Sequence, residues 1–228
     1  MRSPIKLEFS EKYDQQHAKE YLLKHQDGLA RRLSHQRDEQ LARRALALAG
    51  EPGLVLDLPS GAGRFWPLLA EKPNRVIIGA DNSEAMIKTA CAAQPPAVVA
   101  RVRTLRTSAF AIDLPDNSVD SIFCMRLFHH IGEAAHRKTI LDEFQRVSRD
   151  SVILSLWVDG NFKAWRRQKL EQKRSAKAEQ GTIRTVSCYR QKRLKQNSRP
   201  PASESRSTST SCRSMPCGGY MYCVRGSV

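Results

Sequence analysis

The chain has 228 residues, 40% of them hydrophobic and 27% charged, with a formal net charge of +15. This length suits one domain, or one domain and a tail, and the apolar share is enough to bury a core. No stretch approaches the roughly 18 apolar residues of a membrane span, and Met1 to Tyr13 has no apolar segment, so neither a membrane protein nor a secretory signal is expected.

The charge is unevenly spread. Residues 1–174 carry 28 Lys/Arg and 21 Asp/Glu, whereas residues 175–228 carry 10 and 2, together with four of the six Cys and ten Ser. The high pI is therefore partly a property of the tail. The excess on the body reads as a solvated surface, which disfavours nucleic acid as a partner.

Residues 11–49 are rich in Ala, Leu, Gln, Lys, Glu and Arg and contain no Pro, which predicts helix. Leu41, Ala45 and Leu48 recur at helical spacing, and Gly50 and Pro52 end the segment. The short apolar run Leu54-Val55-Leu56 predicts a strand, followed by Gly61, Gly63 and a helical stretch to about Ala70. Val76 to Ala80 is β-branched and predicts a second strand, and Ser83 is an N-cap candidate for a helix over 84–93. Val98 to Leu105 predicts a third strand, Pro115 to Ser118 a turn, and Asp120 to Met125 a fourth strand. A helix over 133–147, a fifth strand from Ser151 to Val158 and a helix from Asn161 to Arg174 follow.

Strands alternating with helices predict βαβ units in a doubly wound, mostly parallel α/β sheet with helices on both faces. The near-continuous apolar runs agree, because such strands are covered on both sides. The expected organisation is a helical lead-in over 1–49, an α/β domain over 50–174, and an irregular, basic Ser/Arg/Cys-rich tail over 175–228.

Ligands of open α/β sheets bind beyond the carboxyl ends of the strands, at the switch point. There the first strand runs into Asp57-Leu58-Pro59-Ser60-Gly61-Ala62-Gly63-Arg64. Glycines let a ligand approach the backbone, since there is no Cβ to clash. The dinucleotide pattern G-x-G-x-x-G is not met, because Trp66 takes the third glycine position, and no Gly-Lys-Ser/Thr makes a phosphate loop. Asp81 closes the second strand, 24 residues after Asp57, where a carboxylate can accept from both hydroxyls of a ribose.

At these residues the chain resembles the class I S-adenosylmethionine-dependent methyltransferases, whose Rossmann-like fold carries an apolar run followed by D/E-x-G-x-G-x-G. Asp57, Gly61 and Gly63 match, with Pro59 in place of the first glycine. Asp81-Asn82-Ser83-Glu84-Ala85-Met86 resembles the family's D-x-S-x-x-M. Thr107-Ser108-Ala109-Phe110 falls where the family often has an acid and Ala for the adenine amine; here Ser108 replaces the acid and still offers an acceptor. Leu114 to Asp120 resembles the turn and Asp that open the fourth strand, and Leu127-Phe128-His129-His130-Ile131 the family's apolar-apolar-His-His-apolar segment. The resemblance spans about 50–158. It implies S-adenosyl-L-methionine as cofactor, with Asp57, Gly61, Gly63, Asp81, Asn82, Met86, Ser108, Ala109 and Arg126 as cofactor-binding candidates. Arg126 could reach either the cofactor carboxylate or a surface acid.

His129 and His130 are the adjacent titratable pair near this site. They are candidates to take a proton from a hydroxyl or amine nucleophile, against the alternative that they satisfy backbone groups after the fourth strand. His17, His25, His35 and His136 read as helix-surface residues. Cys91 and Cys124 lack zinc spacing and fit a reduced, cytoplasmic core, and no carboxylate–His cluster suggests a metal.

The expected function is transfer of a methyl group to a small-molecule acceptor. Two alternatives stand beside it: an inactive methyltransferase remnant with a truncated sheet, and a nucleic-acid-binding protein that uses the basic tail. The remnant arises because no convincing strand follows residue 158, so the last strands are expected to be lacking. One reading of 182–228 is a disordered basic tail. Another is a segment translated out of frame: from the third base of the Met215 codon, the genetic code permits A-M-W-R-V-Y-V-L-R, an ordinary strand. From that of Arg184, Thr185 to Arg190 permits N-R-F-V-L-P.

Overall fold

The structure is a computed structural model and describes residues 29–157, 209–212 and 219–225. Helix α1 (Leu29–Leu48) leads into β1 (Leu54–Asp57), the single turn α2 (Trp66–Leu69) and β2 (Val76–Asp81). Helices α3 (Glu84–Ala93) and α4 (Pro96–Val99) precede β3 (Val102–Arg106) and β4 (Val119–Cys124). A 3-10 turn (Phe128–His130), α5 (Ala134–Val147) and β5 (Ser148–Trp157) follow. Strands β6 (Ser209–Cys212) and β7 (Gly219–Arg225) complete the sheet.

The strand order is β3-β2-β1-β4-β5-β7-β6. Strands β1 to β5 pair in parallel, with Val55 opposite Ile77 on one side and Ser121 on the other. The doubly wound α/β reading therefore holds, and the order reverses between β1 and β4. Alternation along each strand sends its apolar residues to two separate cores. Val55, Ile77, Phe123 and Ile153 join Leu41, Ala42, Ala45 and Leu46 of α1, with Trp66 and Leu69 of α2. Leu56, Ile122, Cys124 and Leu154 join Ile140, Phe144 and Val147 of α5 on the other face.

Local choices follow from single residues. Ser83 caps α3 by accepting from the Met86 amide. Asp120, the second residue of β4, accepts the Gly53 and Leu54 amides at 3.1 and 2.8 Å and ties the start of β1 to its neighbour. Strand β3 begins at Val102 rather than Val98, because Pro95 and Pro96 start a helical turn that takes up Val98 and Val99. The helix expected from residue 11 is described only from Leu29, and the expected helix 161–174 lies outside the described residues.

The expected loss of the last strands is corrected. Strand β7 pairs antiparallel along β5 from Ser151↔Arg225 to Trp157↔Gly219, and β6 pairs antiparallel with β7. By composition Tyr220, Tyr222 and Val224 belong to a Ser/Arg tail, yet these are strand-forming residues at alternate positions. The truncated-sheet premise of the remnant reading therefore falls. So does the expectation that 209–212 and 219–225 are irregular. Thr185 to Arg190 lies outside the described residues.

Candidate functional site

The carboxyl ends of β1, β2 and β4 converge on the glycine loop. Gly61 and Gly63 adopt φ of +54° and +69°, values that L side chains resist. Their surroundings differ. A Cβ on Gly61 would meet only the Met86 Cε, at 3.6 Å, whereas one on Gly63 would lie 2.9 Å from the Trp66 ring and 3.0 Å from Gln94 Cγ. Gly61 thus borders open space that a side chain would fill, and Gly63 is shaped by packing. Trp66, at the place of a third glycine, is fully buried and rests on Gly79 of β2, where a Cβ would stand 2.5 Å from Cζ2. The small residue that permits close packing here is on the strand and the large one on the helical turn.

Asp81 secures this loop. Its Oδ2 accepts the Gly61 amide at 3.0 Å and its Oδ1 accepts the Ser83 amide at 2.9 Å. Burial raises its pKa, against the lowering effect of the amides of Ser83, Gly61 and Asn82. Asp57 lies deeper. Burial first, and the neighbouring Asp81 charge second, push its carboxyl well above the usual range, against the Trp66 indole. Asp57 Oδ2 is buried without a hydrogen-bond partner. Asn82 is exposed and Met86 buried against the loop.

The third segment is a turn after β3. Ser108 Oγ accepts the Phe110 amide at 3.2 Å, and Thr107 Oγ1 accepts the Asp113 amide at 2.9 Å. Glu143 of α5 accepts the Ile112 amide at 2.8 Å and pairs with Arg146, so α5 holds this turn against the sheet. Ser108 and Ala109 are partly exposed there. Phe110 meets His136 edge to face at 5.7 Å, so His136 is a packing residue as well as a helix-surface one.

Beyond β4, Arg126 takes a left-handed φ of +61°. The acid it reaches is neither on the surface nor anticipated: it is Asp38 of α1, fully buried, at 2.9 Å. Arg64 reaches the same Asp38 at 2.8 Å. His35 accepts from Arg64 and packs on Phe65 at 6.3 Å while its side chain stays 38% exposed, so it is a helix-surface residue that also touches this cluster. The sequence does carry a signal for Asp38, since it stands three and seven residues before Leu41 and Ala45, on the apolar face of α1. His129 is buried and His130 exposed, with their rings 4.0 Å apart. His17 and His25 lie outside the described residues. Among the described residues there is no His/Cys/Asp/Glu group that could hold a metal ion, and no helix is long and apolar enough to cross a membrane.

A parallel sheet reversing between β1 and β4, with a glycine loop on β1 and a buried acid ending β2, defines a Rossmann-like, class I methyltransferase fold. Residues 55–151 match the family described as "Methyltransferase domain".

Solved structures of methyltransferases share the fold. Magnesium protoporphyrin IX methyltransferase from Synechocystis PCC 6803, with bound SAH, has a TM-score of 0.70 at 15% identity, over 96% of this chain and 98% of that one. A SAM-dependent methyltransferase from Aquifex aeolicus has a TM-score of 0.56 at 19% identity, over 94% and 98%. Human N-acetylserotonin methyltransferase, in complex with SAM, has 0.57 at 14% identity, over 84% of this chain and 52% of its own. No curated protein matches the chain.

Proposed function

We propose that the protein transfers the methyl group of S-adenosyl-L-methionine to a small-molecule acceptor. The observation that carries this reading is the open face of Gly61, held by Asp81 at the switch point of the sheet. An open glycine beside a buried carboxylate accepts a ligand that presses on the backbone and offers hydroxyls, as an adenosine does.

The residues divide the task. Asp81 accepts from the ribose hydroxyls with the lone pairs that the amides leave, and Asn82 stands beside it. Ser108 and Ala109 meet the adenine edge, Met86 packs under the loop, Gly61 gives the ligand its approach, and Gly63 lets the loop that carries it pack on Trp66. Asp57 supports the loop from below, and Arg126 faces the far end of the ligand. S-adenosylmethionine supplies an electrophilic methyl group on a sulfonium whose leaving group departs neutral. The protein therefore has mainly to align acceptor and methyl group and to exclude water. His130, the exposed member of the pair, is placed to take a proton from a hydroxyl or amine acceptor, with His129 packed behind it. The free thiols of Cys91 and Cys124 suit a reducing, cytoplasmic setting.

Titration calorimetry of the full chain with S-adenosylmethionine and with NADH tests the cofactor. Binding of the first and not the second is expected, and the reverse would overturn the reading. Transfer of a labelled methyl group from S-adenosylmethionine into a low-molecular-weight metabolite fraction tests the reaction. Label appearing only in nucleic acid or protein would refute the small-molecule acceptor.

A further inference from the structure

Arg64 and His35 meet on one nitrogen. The Arg64 guanidinium brings Nε to 3.1 Å and Nη2 to 2.9 Å from His35 Nδ1. Arginine has only donors and keeps its charge, so Nδ1 must supply the lone pair. The imidazole is therefore neutral with its proton on Nε2, which stands 3.3 Å from Glu39 Oε1, one turn along α1. Arg64 also lies over Phe65, with Cζ 5.0 Å from the ring centroid, and its Nη2 donates to Asp38. His35, Arg64 and Phe65 thus form one stack that joins α1 to the residues directly following Gly63.

The stack stands at a boundary along the helix. Asp38, Leu41, Ala42, Ala45 and Leu46 are buried and anchor the second half of α1 on the sheet. None of residues 32–37 is buried, and Leu33 is exposed. In that stretch apolar burial is slight, and the hydrogen bond from Arg64 to His35 ties it to the loop.

We propose that His35 is a pH-sensitive latch: when neutral it fastens the first turns of α1 to the loop after β1, and when protonated it releases them. Protonation removes the acceptor. A doubly protonated ring has no lone pair on either nitrogen, so rotating it restores nothing, and an imidazolium would face a guanidinium at hydrogen-bonding distance. Among the described residues, the charged groups facing His35 are Arg64 from the loop, Glu39 and Asp38 from α1, and Arg126 from beyond β4. The two acids favour a charged ring, but both are engaged elsewhere: Glu39 lies 3.6 Å from Arg43, and Asp38 accepts from Arg64 and Arg126. Burial first, and the Arg64 charge second, hold the His35 pKa below its ordinary value. The released helix has the ordinary, higher pKa. The latched state is therefore favoured above that value and gives way as pH falls through the lowered one. The latch acts on the loop and is independent of which ligand the loop takes.

Amide hydrogen exchange of the full chain at about pH 8 and about pH 5, corrected for the intrinsic pH dependence of exchange, reads the latch. Residues 33–37 are expected to lose protection in acid by roughly tenfold or more, while residues 41–46 keep theirs. In His35→Asn the side-chain oxygen takes the place of Nδ1 and cannot titrate, so the acid loss is expected to disappear. Nitrogen NMR of the native chain needs no variant: His35 should carry its proton on Nε2 at about pH 8, and protonation of Nδ1 should share its midpoint with the loss of protection. Undiminished protection in acid, equal loss over 33–37 and 41–46, or an acid loss that persists in folded His35→Asn overturns the proposal. So does a proton on Nδ1 at about pH 8.

Discussion

Replacing Gly63 by Ala adds a Cβ at a φ of +69°, within 2.9 Å of the Trp66 ring and 3.0 Å of Gln94. The left-handed backbone alone costs about 1–2 kcal/mol for a non-glycine residue, and forcing a methyl group into a packed core costs about 1–3 kcal/mol more. Trp66 cannot swing aside, because it is fully buried and already rests on Gly79. Gly63→Ala should therefore lose about 2–5 kcal/mol of stability. Gly61→Ala meets only the Met86 Cε at 3.6 Å, so it should lose about 1–2 kcal/mol, the backbone cost alone. At roughly 2–4 °C per kcal/mol for a chain of this size, thermal melting separates the two variants. Calorimetry should rank them in the opposite order: in the folded fraction, Gly61→Ala loses more S-adenosylhomocysteine affinity than Gly63→Ala. Equal melting temperatures would refute the packing role of Gly63, and unchanged affinity in Gly61→Ala would remove that glycine from the ligand face.

Three further outcomes are expected. Gly79→Ala should destabilise the fold by about 1–3 kcal/mol, since its Cβ would stand 2.5 Å from the Trp66 ring, and Gly79→Ala combined with Trp66→Leu should recover part of the loss in thermal melting. Asp57→Asn should melt higher than the native chain at pH 8, with the difference closing in acid. The native carboxyl has a raised pKa in the fold, so its contribution is present below the unfolded value and lost as pH rises through the folded one, whereas Asn stays neutral throughout; a difference that is constant with pH would refute this. Asp81→Ala should weaken S-adenosylmethionine binding by about 1.5–3 kcal/mol in calorimetry, and undiminished affinity would remove Asp81 from the site.

Most of the core fold is legible in the sequence because the strands of a doubly wound sheet are short apolar runs with few competing interpretations. Leu54 to Leu56 and Val76 to Ala80 show this well, since turn residues bound both runs on each side. The start of the third strand is harder to place, because Val98 and Val99 favour strand intrinsically while the two prolines before them favour a helical turn. The last strands escape a local reading because Gly219–Arg225 gains its place by pairing with a strand 62 residues earlier, from Trp157 to Gly219, and local composition does not encode that partner. At the site, Asp57 and Asp81 can be found by their place at the ends of strands, and Gly61 by the loop that follows β1. Asp38 cannot be placed by motif, because it comes from a separate helix and its role depends on two arginines 26 and 88 residues away.

The energetic cost of the loop also argues for where function lies. Three buried carboxylates, Asp38, Asp57 and Asp81, surround it. Buried acids are costly unless partnered, and the three are treated differently: backbone amides hold Asp81 and guanidiniums hold Asp38 through Oδ2, while Asp38 Oδ1 and Asp57 Oδ2 are each buried without a hydrogen-bond partner. A merely structural turn could be built more stably from apolar residues. By contrast, the open groove between α3 and β3, lined by Ile87, Lys88, Cys91 and Arg106, contains no buried charge and no left-handed residue. Where a fold retains strain and buried charge together, binding is the physical reason that best accounts for both. That argues for binding at the loop rather than at the groove. Substitutions at Lys88 or Arg106 should then leave cofactor affinity unchanged while those at Gly61, Asp81 and Arg126 do not.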